Sequence, residues 1–529
     1  MQRAFIFFLI TAALLSADAF GDDKIDDGLG GEKLQPVFVR MTRQLFARGG
    51  EYETFCRENA DRKRGELRRE VLQVLKRNSD ESWKAIEPTV TKLQKDGSLR
   101  DLQRYWIVNG FACRATGDAC RAMAKDPNVS FVYLQRLPVP LHRVDRPTMP
   151  ERFAARYKEV FQGVLDDWKD DGDEPVTTDG LVLPWNLKRI KADQAWTREG
   201  ATGKGVVVAM IDSGLLVTPS LTRALWLNTG EQFNGKDDDG NGYVDDLFGW
   251  DIGRDSWYVL DDGPMMTHGS MCAGIVAGRP LNSKNLITGV APRARLMVLR
   301  GAGGPLKAYE YALANGADVI SMSYMCVGIP LGNYRGLYRL AHEHLAAAGI
   351  VAVGGAGNFA GSHPRGKQIG LPKDIPCVIA AAGICEDGSK APASSEGPCT
   401  WSGVKFYDDY PEDGPLSKPD VTGCFGGYPM WGRPSVIQRT RGRWTLTADE
   451  GGDVGLIVGP EGNSFAGPHA AGVAALMLSV RPDLNAWQVK QLMEQTCTDI
   501  GEEGRDYTFG AGLLDALEAV RAARNVPPR

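Results

Sequence analysis

The chain has 529 residues, of which 43% are hydrophobic and 24% are charged. This composition is that of a globular protein with a sizeable core, and it excludes collagen, coiled-coil and intrinsically disordered chains. The net charge of −5 argues against a general nucleic-acid-binding protein. The charge is uneven, since residues 31–150 carry +8 and the rest of the chain carries −13. We therefore expect a basic N-terminal unit followed by an acidic one.

The first residues have the pattern of a targeting segment. Arg3 supplies a positive charge, residues 4–15 form an apolar run, and residues 17–19 (Ala-Asp-Ala) fit a small-x-small cleavage site. The run is shorter than the roughly 20 residues that span a bilayer. A buried helix is the alternative, but the position at the start of the chain favours export. We predict a signal peptide over residues 1–19 and a secreted or periplasmic protein without a membrane anchor.

Residues 32–137 are predicted to form a small α+β domain. Apolar spacing predicts a strand, two helices, a strand, a helix and a closing strand, at residues 35–40, 66–77, 82–96, 105–112, 117–125 and 130–134. Residues 138–184 include stretches rich in proline, arginine and aspartate, and we interpret them as a linker.

Residues 185–525 are predicted to form a larger α/β domain. Near-continuous apolar runs alternate with segments rich in small residues, the runs lying at 206–211, 295–299, 319–322, 350–353 and 378–381. Strands that are apolar on both faces are typical of a parallel sheet covered by helices on each side. The expected fold is a doubly wound, mostly parallel sheet flanked by helices.

Three polar residues occupy positions where such a sheet carries chemistry. Asp212 ends an apolar strand, His268 opens a helix of small residues, and Ser464 starts a buried helix. Each has a structural explanation on its own: an Asp that caps the next element, a core His, and a Ser that caps a helix. The order Asp, His, Ser with these placements is far more specific than any one of them.

The motifs around these residues resemble those of subtilisin-like serine proteases. The matching stretches are Asp-Ser-Gly at 212–214, His-Gly-Ser-x-x-Ala-Gly at 268–274 and Asn-Ser-x-Ala-x-Pro-His at 463–469, with further agreement at 202–205, 289–292 and 418–421. The resemblance runs from about residue 185 to 517. It implies a serine endopeptidase in which Ser464 attacks the peptide carbonyl, His268 is the general base and Asp212 orients it. Asn358, at the end of a strand, resembles the family's oxyanion-hole Asn, and the substrates would be proteins or peptides.

Some positions depart from the family pattern. Met271 replaces a second His and Asn463 replaces a Thr, but neither position transfers protons, so activity is expected to survive. Tyr324-Met325-Cys326 replaces smaller residues in a wall of the primary specificity pocket, so a preference for large apolar residues cannot be assumed. Two alternatives stay open: a non-catalytic member that only binds peptides, and a processing enzyme with a single target.

An acidic stretch has the spacing of a calcium-binding loop. Oxygen-bearing residues alternate before a glycine, as at the start of an EF-hand loop, and the candidate ligands are Asp237, Asp239, Asn241, Tyr243 and Asp246. Position 12 of the loop is Phe248 rather than Glu, so the last carboxylate must come from elsewhere. A solvated acidic turn is the alternative. Similar inserts in exported subtilisin-like enzymes favour a structural Ca²⁺.

Residues 38–137 resemble the N-terminal prodomain of bacillopeptidase F-like enzymes. The resemblance implies a zymogen whose own prodomain is a docking partner that the enzyme removes, and the opposite charges of the two units favour docking. A permanent accessory domain is the alternative.

Ten cysteines in an exported chain predict disulfide bonds. Cys113 and Cys120 could bridge, and Cys272 matches a free Cys of proteinase K-like enzymes. The pairing of the others stays open.

Overall fold

The protein is described here by a computed structural model. It describes residues 22–137, 159, 162–166, 168, 176–216, 218–260, 267–280, 286–301, 303–432, 435–440, 443–448, 455–458 and 460–527. The predicted signal peptide and most of the predicted linker lie outside the described residues.

The N-terminal unit is a four-stranded antiparallel sheet with three helices. After a 3₁₀ turn at Asp22–Lys24, its elements are β1 (Gln35–Met41), α1 (Glu51–Glu58), α2 (Arg64–Lys95), β2 (Leu99–Tyr105), β3 (Gly110–Ala115), α3 (Gly117–Ala124) and β4 (Val129–Leu134). The strand order is β2-β3-β1-β4. Two details of the prediction are wrong: helices 66–77 and 82–96 are one helix, and the middle of the predicted strand 105–112, residues 106–109, is the turn between β2 and β3.

This sheet packs against a core on each of its two faces. Side chains alternate along each strand, so neighbouring residues enter different cores. On β1, Val37 and Val39 pack into the unit's own core with Ile86 of α2. Phe38 between them, like Tyr133 of β4, belongs to the core shared with the larger unit. The sheet therefore uses one face to fold and the other to dock.

The larger unit is built on a seven-stranded sheet whose strands all pair in parallel, so the predicted fold class is confirmed. Its strand order is β11-β10-β9-β8-β5-β7-β6. These strands are β5 (Val207–Asp212), β6 (Gly249–Asp251), β7 (Arg295–Arg300), β8 (Val319–Met322), β9 (Val351–Gly355), β10 (Ile379–Ile384) and β11 (Val421–Cys424).

Helices flank this sheet. They are α4 (Trp185–Arg189), α5 (Ala192–Glu199), α6 (Pro219–Thr222), α7 (His268–Ala277), α8 (Pro305–Ala314), α9 (Tyr334–Ala347), α10 (Asn463–Val480), α11 (Ala486–Gln495) and α12 (Ala516–Asn525). Two short antiparallel pairs join β12 (Met430–Gly432) to β15 (Gly455–Ile457) and β13 (Ser435–Thr440) to β14 (Arg443–Ala448). In the part of the chain that the structure describes, no helix has both the length and the apolar character needed to cross a bilayer.

Helices α7 and α10 are buried on almost every side, as expected for helices that are apolar all round. Small residues let α10 approach the sheet closely. A Cβ on Gly355 of β9 would lie 1.9 Å from the carbonyl oxygen of Asn463, so any larger residue would push the start of α10 away from the strand. The beginnings of both helices are thereby fixed at the carboxyl edge of the sheet.

All ten cysteines lie in described residues, and all are free in the structure. The predicted disulfide bonds therefore have no support from it.

Candidate active site

The predicted site residues lie together at the point where the strand order of the sheet reverses. Asp212 is the last residue of β5, and the strands that follow it in sequence are added on both of its sides. His268 begins α7, Ser464 is the second residue of α10, and Asn358 follows β9 by three residues. In open α/β sheets this switch point, at the carboxyl ends of the strands, is where ligands bind.

Asp212 and His268 form a hydrogen-bonded pair. His268 Nδ1 lies 2.8 Å from Asp212 Oδ1 and 3.0 Å from Oδ2. The Asp212 side chain is only 9% exposed, whereas that of His268 is 32% exposed. Ser213 fixes the arrangement, because its hydroxyl accepts from the Gly269 amide at 3.0 Å and so holds the start of α7 against the end of β5.

The surroundings of His268 favour its protonated form. Burial of the imidazole opposes protonation, but Cys272 and the Asp212 carboxylate outweigh it and raise the pKa of His268 well above its usual value. Burial also raises the pKa of the Cys272 thiol, which therefore stays neutral at neutral pH. Two side chains therefore meet Nδ1 of His268, the Asp212 carboxylate at 2.8 Å and the Cys272 sulfur at 3.9 Å.

Ser464 lies beside the segment that follows β8. Its hydroxyl donates to the carbonyl of Ser323 at 3.4 Å, so a rotation about χ1 is needed to direct it to His268. The Ser464 carbonyl accepts from the Ser323 hydroxyl at 2.9 Å and from the Cys272 thiol at 3.4 Å. Cys272 Sγ is also 3.9 Å from His268 Nδ1, so this thiol contacts both His268, at the start of α7, and Ser464, at the start of α10. The role of Ser323 could not be predicted from the sequence, because it depends on contacts with Cys272 and Ser464, which are distant along the chain.

Asn358 is oriented with its amide nitrogen free. Its Oδ1 accepts from the backbone amide of Asn463 at 2.7 Å, and no described residue accepts from its Nδ2. The Nδ2 atom is 3.1 Å from a Cβ built on Gly462, so it lies next to the start of α10. Asn463 ties the site together, since its side chain donates to the Gly357 carbonyl at 2.7 Å and to the Ser394 hydroxyl at 3.0 Å. A free donor is thereby held close to Ser464.

The acidic loop brings three carboxylates together. Single oxygen atoms of Glu231, Asp239 and Asp246 all lie within 4.8 Å of one another. Asn228 donates to Asp239 at 3.0 Å and to Asp246 at 2.9 Å. Sequence reasoning missed Glu231, because it precedes the recognisable spacing and is placed by the fold of the loop.

The other predicted ligands of this loop lie around the cluster. Asn241 donates to Asp246 at 3.0 Å, and the ring of Tyr243 packs on that of Tyr311 with centroids 4.9 Å apart. Asp237 accepts instead from the backbone amides of Asn241 and Gly242.

The residues of this cluster fit a hard divalent cation. Asp246 is fully buried, and burial raises its pKa to about 6, an effect that hydrogen bonds from Tyr311, Asn241 and Asn228 oppose and the Asp239 charge adds to. Carboxylate and amide oxygens are the ligands that Ca²⁺ prefers. A cation would remove the repulsion among the three carboxylates.

Comparison with known proteins gives consistent matches. The family model described as "Subtilase family" (Peptidase_S8) matches residues 203–512, more than half of the chain. Subtilisin DY of Bacillus licheniformis is 27% identical over 354 residues, which cover 64% of this chain and 99% of that protein. Subtilisin E of Bacillus subtilis is 28% identical over 348 residues, 64% of this chain and 71% of that protein. A calcium-dependent protease of Trichormus variabilis is 29% identical over 293 residues, 49% of this chain and 40% of that protein.

Proposed function

The chain belongs to the subtilase family of serine-type peptidases, and we propose that it hydrolyses peptide bonds with Ser464, His268 and Asp212 as its catalytic triad. The observation that carries the proposal is the paired Asp212 and His268 beside the start of α10, where Ser464 and the free amide of Asn358 lie. His268 takes the Ser464 proton as the hydroxyl attacks the substrate carbonyl, and later gives it to the leaving amine. Asp212 holds the tautomer and stabilises the imidazolium.

Asn358 and the backbone amide of Ser464 are proposed to bind the oxyanion. Replacing Asn358 by alanine is expected to lower kcat by about 10²–10³, with KM little changed, because the donor acts mainly on charge that develops in the transition state. Steady-state kinetics on a peptide anilide measures both constants. Asn315→Ala is a matched control, since the only partner of its side-chain amide in the described part of the chain is the Tyr311 carbonyl in α8.

Two outcomes would contradict this assignment at different levels. A loss confined to KM would remove Asn358 from the oxyanion hole. Failure of the mature enzyme to react with a fluorophosphonate, which labels only an activated serine, would instead favour a protein that binds peptides without cleaving them.

The N-terminal unit is proposed to be an inhibitory prodomain of an exported zymogen, removed by the enzyme itself. Its docking face carries aromatic residues: the ring of Phe131 is 6.1 Å from that of Phe406, and Tyr133 is 6.2 Å from Tyr334. Tyr334 is fully buried at this interface. Burying such rings contributes strongly to association.

Polar contacts fix the orientation of the docked unit. Glu310 of α8 is buried and accepts from the backbone amides of Trp106 and Ile107 at 2.5 and 3.1 Å. Arg64 of α2 pairs with Asp318 at 2.8 Å, with both side chains about 10% exposed. Because Arg64 belongs to the basic unit and Asp318 to the acidic one, this pair supports docking by complementary charge.

The described N-terminal unit ends against the larger unit. Arg136 Nε lies 3.8 Å from a Cβ built on Gly332. Gly332 belongs to the segment that runs from Ser323, beside Ser464, to α9. The N-terminal unit thus ends against a segment of the larger unit that leads to Ser323. We propose that the chain beyond Leu137 occupies the cleft as an inhibitor and is cut within residues 138–184.

A structural Ca²⁺ is proposed for the acidic loop, held by Glu231, Asp239 and Asp246. The ion would stabilise the loop and take no part in the reaction. Chelation is expected to lower the melting temperature by about 5 °C, and to speed self-digestion, because the clustered carboxylates repel one another without a cation. Calorimetry of the Ser464→Ala variant with EDTA or excess CaCl₂ measures the effect without self-digestion. An unchanged melting temperature in protein shown to be metal-free would exclude the site.

A further inference from the structure

The position of the substrate side chain follows from the two groups that handle its carbonyl. The substrate residue whose carbonyl is attacked is called P1. Its carbonyl carbon must meet Ser464 while its carbonyl oxygen points to Asn358. The P1 side chain therefore lies between the two protein segments that flank Ser464 and Asn358. These segments are residues 323–326, which follow β8, and residues 355–358, at the end of β9. The two strands pair only as far as Met322 and Gly354, and the segments beyond form the walls of the P1 pocket.

The side chain of Met325 crosses from one wall to the other. Its sulfur lies 3.0 Å from a Cβ built on Gly357, in the opposite wall, and accepts from the Gly370 amide at 3.3 Å. It packs against a small apolar cluster that includes Ala356 and Ile369. The volume between the walls is therefore already occupied by protein.

The residues on either side of Met325 hold it in place. The hydroxyl of Tyr324 is hydrogen-bonded to that of Tyr309 at 2.6 Å, and the buried ammonium of Lys373 donates to the Tyr324 carbonyl. Cys326 donates its backbone amide to the Leu371 carbonyl at 2.9 Å. With both neighbours fixed, the backbone of Met325 cannot swing out of the wall without breaking these bonds.

We propose that Met325 fills the P1 pocket and restricts the enzyme to substrates with glycine, alanine or serine at P1. This inference rests on the proposed roles of Ser464 and Asn358, and it names the substrate class of that site. A larger side chain would have to displace Met325 from its contacts with both walls. In an apolar pocket even one methylene group changes the rate by about 10–200-fold. Met325 is thus a specificity-determining residue.

The test compares peptide anilides that differ only at P1, alanine against phenylalanine. The wild-type enzyme is expected to show a kcat/KM at least about tenfold higher for the alanine substrate, and Met325→Gly is expected to reverse that ratio. Met325→Leu is the matched control, because it keeps the volume and should keep the preference for alanine. A wild-type preference for phenylalanine, or an unchanged ratio in a folded Met325→Gly protein, would overturn the proposal.

A second measurement needs no variant. Peptidyl phosphonates with alanine or phenylalanine at P1 should inactivate the wild-type enzyme at rates that differ at least about tenfold in favour of alanine. Equal rates, or faster inactivation by the phenylalanine reagent, would refute the role of Met325 and leave the triad standing. An enzyme that a generic fluorophosphonate also fails to label would instead refute the proposed triad.

Discussion

Replacing Ser464 by alanine is expected to leave a precursor that keeps its N-terminal unit on the same polypeptide. The wild-type chain is expected to yield a catalytic fragment of about 340–390 residues, set by where the cut falls in residues 138–184. The loss of peptidase activity in the variant should reach about 10⁶-fold, the scale of a removed serine nucleophile. Mass spectrometry of the purified proteins distinguishes the two forms.

The structure gives two reasons to expect this result. The N-terminal unit shares a hydrophobic core with the catalytic unit, so it stays in place while the linker is cut. The described N-terminal unit also ends against the larger unit, since Arg136 Nε lies 3.8 Å from a Cβ built on Gly332, in the segment that follows Ser323. With the proposed roles of Ser464 and residues 138–184, the nucleophile and its target would belong to one folded molecule, and the cut would need no second enzyme.

Ser479→Ala is the matched control for this experiment. Ser479 lies on the same helix as Ser464, but among the described residues its hydroxyl bonds only the Leu476 carbonyl, so the control should mature normally. Identical trimming of the Ser464→Ala variant, purified away from other proteases, would contradict self-removal. An active wild-type enzyme that keeps the unit covalently attached would favour a permanent accessory domain.

The candidate site was predictable because its signals are local. Asp212 ends an apolar run and Ser464 precedes a run of small residues, so each side chain could be placed on an element from its own neighbours in sequence. The parallel sheet followed from strands that are apolar on both faces. The contacts of Ser323 and Glu231 were not predictable, because both depend on how distant loops fold against one another.

The errors in the N-terminal unit have a related cause. Residues 99–105 (LRDLQRY) form β2 although most of them are polar, because the strand lies at the edge of the sheet. Residues 106–109 are apolar like a strand, yet they form a turn in which Asn109 has φ of 37°. Their apolar side chains are explained by the larger unit, because Ile107 and Val108 belong to the core that the two units share and Trp106 packs against it. An apolar run that is buried by another unit therefore looks like a strand when the segment is considered by itself.

Replacing Asp212 by asparagine is expected to lower kcat by about 10⁴-fold while the fold is kept. An amide at this position can donate to Nδ1, which stabilises the wrong imidazole tautomer and leaves Nε2 unable to accept the Ser464 proton. Asp251→Asn is the matched control: Asp251 also ends a strand of the sheet, but it pairs with Arg300 at 3.0 Å rather than with a histidine. The control should keep kcat within about threefold, because surface and structural charges away from the triad do not set the tautomer.

The same variant should change the pH profile in a direction that the structure fixes. Catalysis needs neutral His268, so kcat/KM rises with pH as the imidazolium loses its proton. Burial opposes the proton, and Cys272 and Asp212 together raise the pKa of His268 well above its usual value, which moves this limb to a higher pH than an ordinary imidazole would give. Removing the Asp212 carboxylate removes one of the two groups that raise the pKa of His268, so that pKa is expected to fall. The residual activity of Asp212→Asn should therefore reach its plateau at a lower pH than that of the wild type. If the maximal kcat/KM falls in the variant while the midpoint pH of the acid limb is unchanged, Asp212 orients the imidazole ring without setting its charge.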